Sequence, residues 1–377
     1  MSALRVLVVA TVLGRGPSGV HRHAVEILPR AARILGAQGG ELVLLEGREP
    51  IRAPELDGIA RLASGAPFGP AWRRAAPERR AILHALAHAK DRPFDVVHQG
   101  HLPFATALIR RTGAAPVWLV HDTRKLEASG HGLASKLAAA VGRHVARRAA
   151  RDALGIVCVS AATATDLARR VACVRGRTAL VPNAADHLAV RARTPALPAF
   201  NLGVGHLEPR KGWRTAIAAL ARDPELPPLW IAGAAHGRRG AQELAALEVM
   251  ARALGVADRL RILGAVGDHE LEQLLATAAA VVLPSQLEGF SIPALEALHA
   301  GTPLALSDIP AHREVAGELA HYFPPGDAEQ CAAAQRAARS QPRERTELAA
   351  NSAHRFRWDH SAQALVNAWR SAAHARS

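Results

Sequence analysis

PSQLEGFSIPALEALHAGTP, residues 284–303, is the stretch on which the reading of this chain turns. It holds two carboxylates, Glu288 and Glu296, with seven residues between them. The run before it, AAAVVLPS at 278–285, is short, apolar and ended by Pro284, which predicts a buried strand. Ser291 then stands at an N-cap position and Pro293 in a first helical turn, where its missing N–H costs nothing. The start of a helix carries unpaired amide donors and roughly half a positive charge, which suits phosphate. Gly289, Phe290, Ser291 and Ile292 are therefore expected to line a phosphate-bearing ligand. Glu296, inside the helix, can accept hydrogen bonds from vicinal hydroxyls such as those of a ribose. Glu288 can take the hydroxyls of a second sugar or steady a cationic transition state. The competing reading is a pair of surface glutamates on an ordinary strand–helix unit.

The bulk numbers fit a globular chain of two domains. There are 377 residues, 49% of them hydrophobic and only 4% aromatic, too many for one ordinary core. Cys158, Cys173 and Cys331 are odd in number and widely spaced, so they read as thiols in a reducing compartment. The start of the chain, MSALRVLVVATVLG, leads into a glycine turn and reads as a first strand, with no signal peptide visible. No run approaches the roughly 18 apolar residues that cross a bilayer, which gives the expectation of a cytoplasmic protein. The net charge of +14 calls for an acidic partner or reflects an arginine-rich composition. Nucleic acid is disfavoured: there is one tyrosine, no recognisable nucleic-acid module, and the basic residues are spread over many helices.

Strand-like and helix-like segments alternate along the whole chain, which predicts α/β architecture with parallel sheets. Strands are expected at 5–11, 41–45, 94–100, 115–122, 155–160 and 178–186, with helices at 20–35 and 133–153. Residues 47–77, rich in Pro, Gly and Arg, carry no assignable pattern. RARTPALP at 191–198 reads as a linker. A second series of strands follows at 200–204, 229–233, 260–263, 279–284 and 304–306. The expected domains are 1–190 and 199–357, with a last helix at 358–377. Ligands of such sheets bind beyond the carboxyl ends of the strands.

Several other motifs carry chemistry. GVGHLEPRKGW, residues 203–213, follows a strand and precedes a helix, and places Arg210 and Lys211 where two cations can grip a diphosphate. Gly14, Gly16 and Gly19 form G-x-G-x-x-G, a weak dinucleotide signal spoiled by Pro17 and by the late acid Glu46. His121 and Asp122 end one predicted strand and His98 another. His84 and His88 share a helix face but gain no third ligand nearby. Asp-x-Asp, G-x-S-x-G and G-K-[ST] are all missing, which argues against a metal-anchored nucleotide site, a serine hydrolase and a P-loop. The helix at 133–154 carries Lys136, Arg143, Arg147, Arg148 and Arg151 among alanines and leucines. It is either a solvated face or a surface for anionic membrane.

The 284–303 stretch resembles the E-x7-E motif of retaining nucleotide-sugar glycosyltransferases of family 4. TPLALSDIPAHREVAG at 302–317 and YFPPGDAEQCAAA at 322–334 are similar to that family too. The resemblance is strongest over 202–327. It implies the GT-B fold: two Rossmann-like domains facing a central cleft, with the C-terminal helix crossing back to the N-terminal domain. It implies a UDP- or GDP-linked sugar as donor, a glycan or lipid-linked acceptor, a role in cell-envelope or polysaccharide synthesis, and no metal or other cofactor. Glu288, His121, Lys211 and Arg210 become the catalytic candidates, with His121 at the donor sugar. Glu296, His206, Gly16 and Gly19 join the donor contacts, and His98 and Asp122 fall on the acceptor side. The family commonly has an arginine where this chain has His206; Arg210 is expected to supply that charge. Asn183 in VPNAAD matches the family turn V-x-N-G-V-D, with Ala184 in place of glycine. An epimerase or phosphorylase on the same fold, or a non-catalytic nucleotide binder, is the alternative.

Overall fold

The computed structural model describes residues 3–13, 18–69, 71–127, 132–194 and 196–376. The chain divides into two compact units, residues 1–183 with 358–377, and residues 184–357. The division falls at Asn183/Ala184, earlier than the expected linker. The reason lies in residues 193 and 194: Thr194 N–H donates to the Ala276 carbonyl, and the Arg193 guanidinium donates to the carbonyls of Leu275 and Ala278. That stretch is thus fastened to the second unit.

The first unit holds strands β1 (Arg5–Val9), β2 (Glu41–Glu46), β3 (Ala60–Ala63), β4 (Val96–Gln99), β5 (Ala115–Val120), β6 (Gly155–Cys158) and β7 (Thr178–Leu180). Its helices are α1 (Gly19–Gly36), α2 (Ala71–His88), α3 (Thr106–Arg111), α4 (Leu133–Asp152) and α5 (Ala161–Arg170). All strand pairs are parallel, in the order β3-β2-β1-β4-β5-β6-β7. Helices cover such a sheet on both faces, which is why β4 and β5 are buried along their whole length. β3 and the first part of α2, to Pro77, lie in the region that the sequence left without a pattern.

The second unit holds β8 (Asn201–Val204), β9 (Leu229–Ala232), β10 (Leu260–Gly264), β11 (Ala280–Leu283), β12 (Leu304–Ser307) and β13 (His321–Phe323). Between and after them run α6 (Trp213–Arg222), α7 (Gly237–Ala253), α8 (Asp268–Thr277), α9 (Ile292–His299), α10 (Pro310–Ala316), α11 (Ala328–Arg339) and α12 (Arg343–Ala353). This sheet is also parallel, ordered β10-β9-β8-β11-β12-β13. In both sheets the order reverses next to the first strand, between β1 and β4 and between β8 and β11. Those are the switch points where α/β sheets open a crevice for ligands.

The last helix, α13 (Trp358–His374), belongs to the first unit. It packs on α1 with Trp358 and Trp369 fully buried, and Trp369 Nε1–H donates to His98 Nδ1 at 3.1 Å.

Candidate functional site

In the second unit the turn after β8 is built by two glycines. Gly205 has φ 145°, and a Cβ there would stand 3.1 Å from Cε and 3.2 Å from Nζ of Lys211. The lysine therefore lies across a position that only glycine leaves open. Pro209 starts a single 3-10 turn, Pro209–Lys211, and Gly212 ends it at φ 68°. A Cβ on Gly212 would come within 2.0 Å of the Pro284 carbonyl oxygen. This close approach presses the turn onto the end of β11, and Gln286 N–H donates to the Arg210 carbonyl at 2.8 Å.

That contact brings Lys211 and Arg210 onto Glu288. Lys211 Nζ donates to Glu288 Oε1 at 2.6 Å, Ser285 Oγ–H donates to the same oxygen at 2.7 Å, and Arg210 Nη1 reaches Oε2 at 3.2 Å. Arg210 also pairs with Glu208 at 2.7 Å. Burial by itself would raise the Glu288 pKa, but the charges of Lys211 and Arg210 outweigh it and hold the carboxyl at about 2. Glu288 is thus a fixed anion and not a proton carrier near neutral pH. His206, at the family's arginine position, is kept neutral by burial and by the neighbouring His236, with its pKa lowered to about 4. It adds no charge there.

The second acid sits on α9. Glu296 is buried, and its Oε1 lies 3.2 Å from Nε2 of His187. His299, on the same helix, meets the Leu188 carbonyl at 3.2 Å, so residues 187 and 188 run along α9. Pro293 is in the first turn, as read from the sequence. Ser291 corrects the reading: it occupies the N-cap position at φ 76°, yet its side chain caps nothing and its buried Oγ has no partner. Phe290 is also corrected. Its ring is buried edge-on against Phe356, centroids 5.4 Å apart, so only its backbone is left for a ligand. Ile292 is buried likewise. The contacts left to this segment are the amides of 290–292, which fits a helix start that offers donors to anions.

In the first unit His121 follows β5 and meets the His23 ring edge-on, centroids 5.0 Å apart. Burial, then the neighbouring His23 and His98, holds its pKa well below the usual value. Together with Leu13 and Val20 these three histidines line a cavity of about 30 Å³. His98 is less available than expected, because its Nδ1 is occupied by Trp369. Asp122 is a turn residue: its carboxylate accepts from the Arg124 amide at 3.1 Å and faces the Arg124 guanidinium. Gly19 opens α1, whose N-cap is Ser18, accepting from His21 N–H at 3.1 Å. Gly16, with Gly14 and Pro17, lies outside the described residues. His84 and His88 stack at 3.9 Å, and His88 Nδ1 meets the His84 carbonyl.

Four site residues escaped the sequence reading: Ser285, His187, Ser307 and His312. The last two lie inside the quoted 302–317 segment, where a histidine five residues after a strand-end serine was the available signal.

The model for glycosyltransferase family 4 matches residues 17–187, and the model for glycosyl transferases group 1 matches residues 194–355. MMP alpha-(1->4)-mannosyltransferase of Mycolicibacterium hassiacum is 36% identical over 120 residues, 30% of this chain and 29% of that protein. O-antigen chain mannosyltransferase B of Escherichia coli is 32% identical over 129 residues, 34% of this chain and 33% of that protein. The chain thus spans no more than about a third of the length of these curated relatives. Among solved structures, sucrose-phosphate synthase from Thermosynechococcus elongatus has a TM-score of 0.75 at 17% identity, over 97% of this chain and 98% of that one. Anabaena Alr3699/HepE, solved with UDP and glucose, has a TM-score of 0.72 at 18% identity, again over 97% and 98%. At such identities the likeness speaks for the fold alone. With one model covering most of each unit and GT-B structures as neighbours, the chain belongs to the family 4 glycosyltransferases and has their GT-B fold.

Proposed function

We propose that the protein is a retaining glycosyltransferase that moves a sugar from a UDP- or GDP-linked donor to a hydroxyl of a glycan or lipid-linked acceptor. The observation that carries this reading is the convergence of Lys211 and Arg210 on Glu288 beside the β8/β11 switch point. Two cations, an ionised carboxylate and a helix start meet within one small volume, and a nucleoside diphosphate sugar has a group for each.

In this mechanism Glu296, steadied by His187, holds the ribose. Lys211 and Arg210 take the diphosphate, aided by the amides of 290–292. As the sugar–phosphate bond breaks, negative charge grows on the leaving phosphate, and these donors stabilise it; losing one such donor typically costs roughly 3–4 kcal/mol of barrier. The two side-chain cations supply the charge a metal ion would bring, so the reaction is assigned as metal-independent. Glu288, locked as an anion, steadies positive charge on the sugar ring. The departing phosphate oxygen takes the acceptor proton, and His121 helps to position the sugar. The relatives named for mannosyl transfer and O-antigen chains favour an envelope polysaccharide or glycolipid product.

The proposed place of action is the cytoplasmic side of an anionic membrane. Among the described residues no helix is long and apolar enough to cross one. α4, however, exposes Leu133, Leu137 and Val141 one turn apart, together with Lys136, Arg147, Arg148 and Arg151. Its buried face is only Ala139, Gly142, Ala146, Ala149 and Ala150.

The test is nucleoside diphosphate release from a panel of nucleotide sugars, with and without hydroxyl acceptors. Lys211→Ala and Glu296→Ala are expected to weaken donor affinity at least about tenfold by calorimetry, with the fold intact by circular dichroism. Unchanged affinity in both variants would remove the site assignment. Turnover that needs no acceptor would point to an epimerase or phosphorylase.

A further inference from the structure

Behind the Lys211–Glu288 pair runs a line of buried hydrogen bonds that starts on α10. The His312 ring is 0% exposed, and its Nδ1 lies 2.8 Å from the Ser307 carbonyl oxygen. A carbonyl has no hydrogen to give, so Nδ1 carries the proton and donates it. Ser307 Oγ–H, at the end of β12, donates to the Ser285 carbonyl at the end of the neighbouring β11. Ser285 Oγ–H donates to Glu288 Oε1, the same oxygen that receives Lys211 Nζ. Ser285 and Ser307 are 2% and 0% exposed.

We propose that His312 is a positioning residue for Lys211 and Glu288, acting through Ser307 and Ser285 to fix where the cation pair meets the donor diphosphate. This rests on the donor site assigned above and extends it to groups that touch no substrate. Three features support it. The links tie α10 to the end of β12, β12 to the loop after β11, and that loop to the turn after β8. Every link is a short polar contact in a place where aliphatic side chains would serve packing alone, and buried polar groups are costly unless paired. The line also ends on Glu288, whose carboxylate touches both cations. Burial keeps the imidazole neutral, with a pKa of about 4, so the ring adds no third positive charge beside Lys211. It acts as a strut and not as a proton donor.

Two readouts test the proposal. The first needs no substrate: lysine acetylation followed by peptide mass spectrometry reads how tightly Lys211 is held. In His312→Leu and in Ser307→Ala, Lys211 should label about five times faster or more, since local opening governs access. His312→Asn, which restores a donor near the Nδ1 position, should return labelling to near wild type. The second is steady-state turnover of the donor. His312→Leu and Ser285→Ala should each lower kcat by about 10- to 100-fold, the range a small misplacement can cause. The double variant should be no worse than the poorer single one, because both cut the same line. Wild-type labelling of Lys211 in both His312→Leu and Ser307→Ala would overturn the proposal, as would multiplying kcat losses in the double variant. Ser307→Ala removes one hydroxyl and keeps the labelling test open if His312→Leu does not fold. A wild-type protein without any donor turnover would instead count against the function proposed above, while labelling would still judge the strut.

Discussion

At the residue scale the informative group is Glu288. A lone acid in a loop carries no function in itself, and the sequence could only offer it beside a lysine 77 positions earlier. Packed together, the two form a nearly buried ion pair, 2.6 Å apart, and removing one partner leaves the other charge buried without its counterion. Glu288→Ala should therefore lower the unfolding free energy of the second unit by about 3 kcal/mol, the low end for breaking a buried pair. Added UDP or GDP should then raise the Tm of Glu288→Ala by more than it raises that of the wild type, because the diphosphate brings back the missing negative charge. Equal Tm shifts in the two proteins would show that diphosphate does not sit on these cations. Ser291 and Phe290 teach the opposite lesson. The first was read as an N-cap and the second as lining the ligand, but at φ 76° the Ser291 side chain caps nothing and the Phe290 ring is buried against Phe356. Local preference names a position; the neighbours decide which way the side chain turns.

At the element scale most strands were legible because parallel strands are buried on both faces and read as short apolar runs. β3 was not, because three of its four residues are exposed and it lies at the sheet edge, so ARLA shows no apolar period. The start of α2 was missed because Pro77 falls inside it and its first turn follows a Gly/Pro-rich stretch, while its end, with His84 and His88, was read as helix. The linker reading of 191–198 failed for a related reason: prolines mark a break in periodicity, not a lack of contacts, and Arg193 is tied down by carbonyls of the second unit. α4 shows what an element adds to composition. Its basic residues alone fit a solvated face, but an exposed stripe of Leu133, Leu137 and Val141 does not. The full chain should cosediment with vesicles rich in anionic lipid and not with neutral ones at low salt. Replacing both Leu137 and Val141 by Glu should weaken that binding about tenfold or more, through lost apolar contact and added like charge. Equal binding to both kinds of vesicle would dismiss a membrane role for α4.

At the scale of the whole molecule, histidines held neutral set how the protein responds to acid. Burial, partly offset by Asn183, lowers the His23 pKa to about 4; burial and the neighbouring His23 and His101 lower that of His98 to about 3; burial, partly offset by Glu288, lowers that of His312 to about 4. In the unfolded chain each takes up a proton near 6.5, whereas the folded protein resists until about 4. The unfolded state therefore binds more protons in this window, so stability rises with pH and is lost as pH falls from about 6.5 towards 4. Each group contributes up to about 1.4 kcal/mol per pH unit there. Urea denaturation from pH 7.5 to 4.5 should show this fall, and a flat profile would mean that these rings are protonated or solvated in the folded state. The sequence by itself determined the run of strand–turn–helix units and the turns chemically suited to phosphate, because apolar period, glycine, proline and capping residues act within a few positions. The return of α13 to the first unit was already implied by the family resemblance; only the tertiary structure decided that β8 lies beside β11 and that Lys211, Arg210, Ser285 and His312 are brought to bear on one carboxylate. Strand order and side-chain burial arise from contacts between residues tens to hundreds of positions apart, and no local pattern records which of those contacts form.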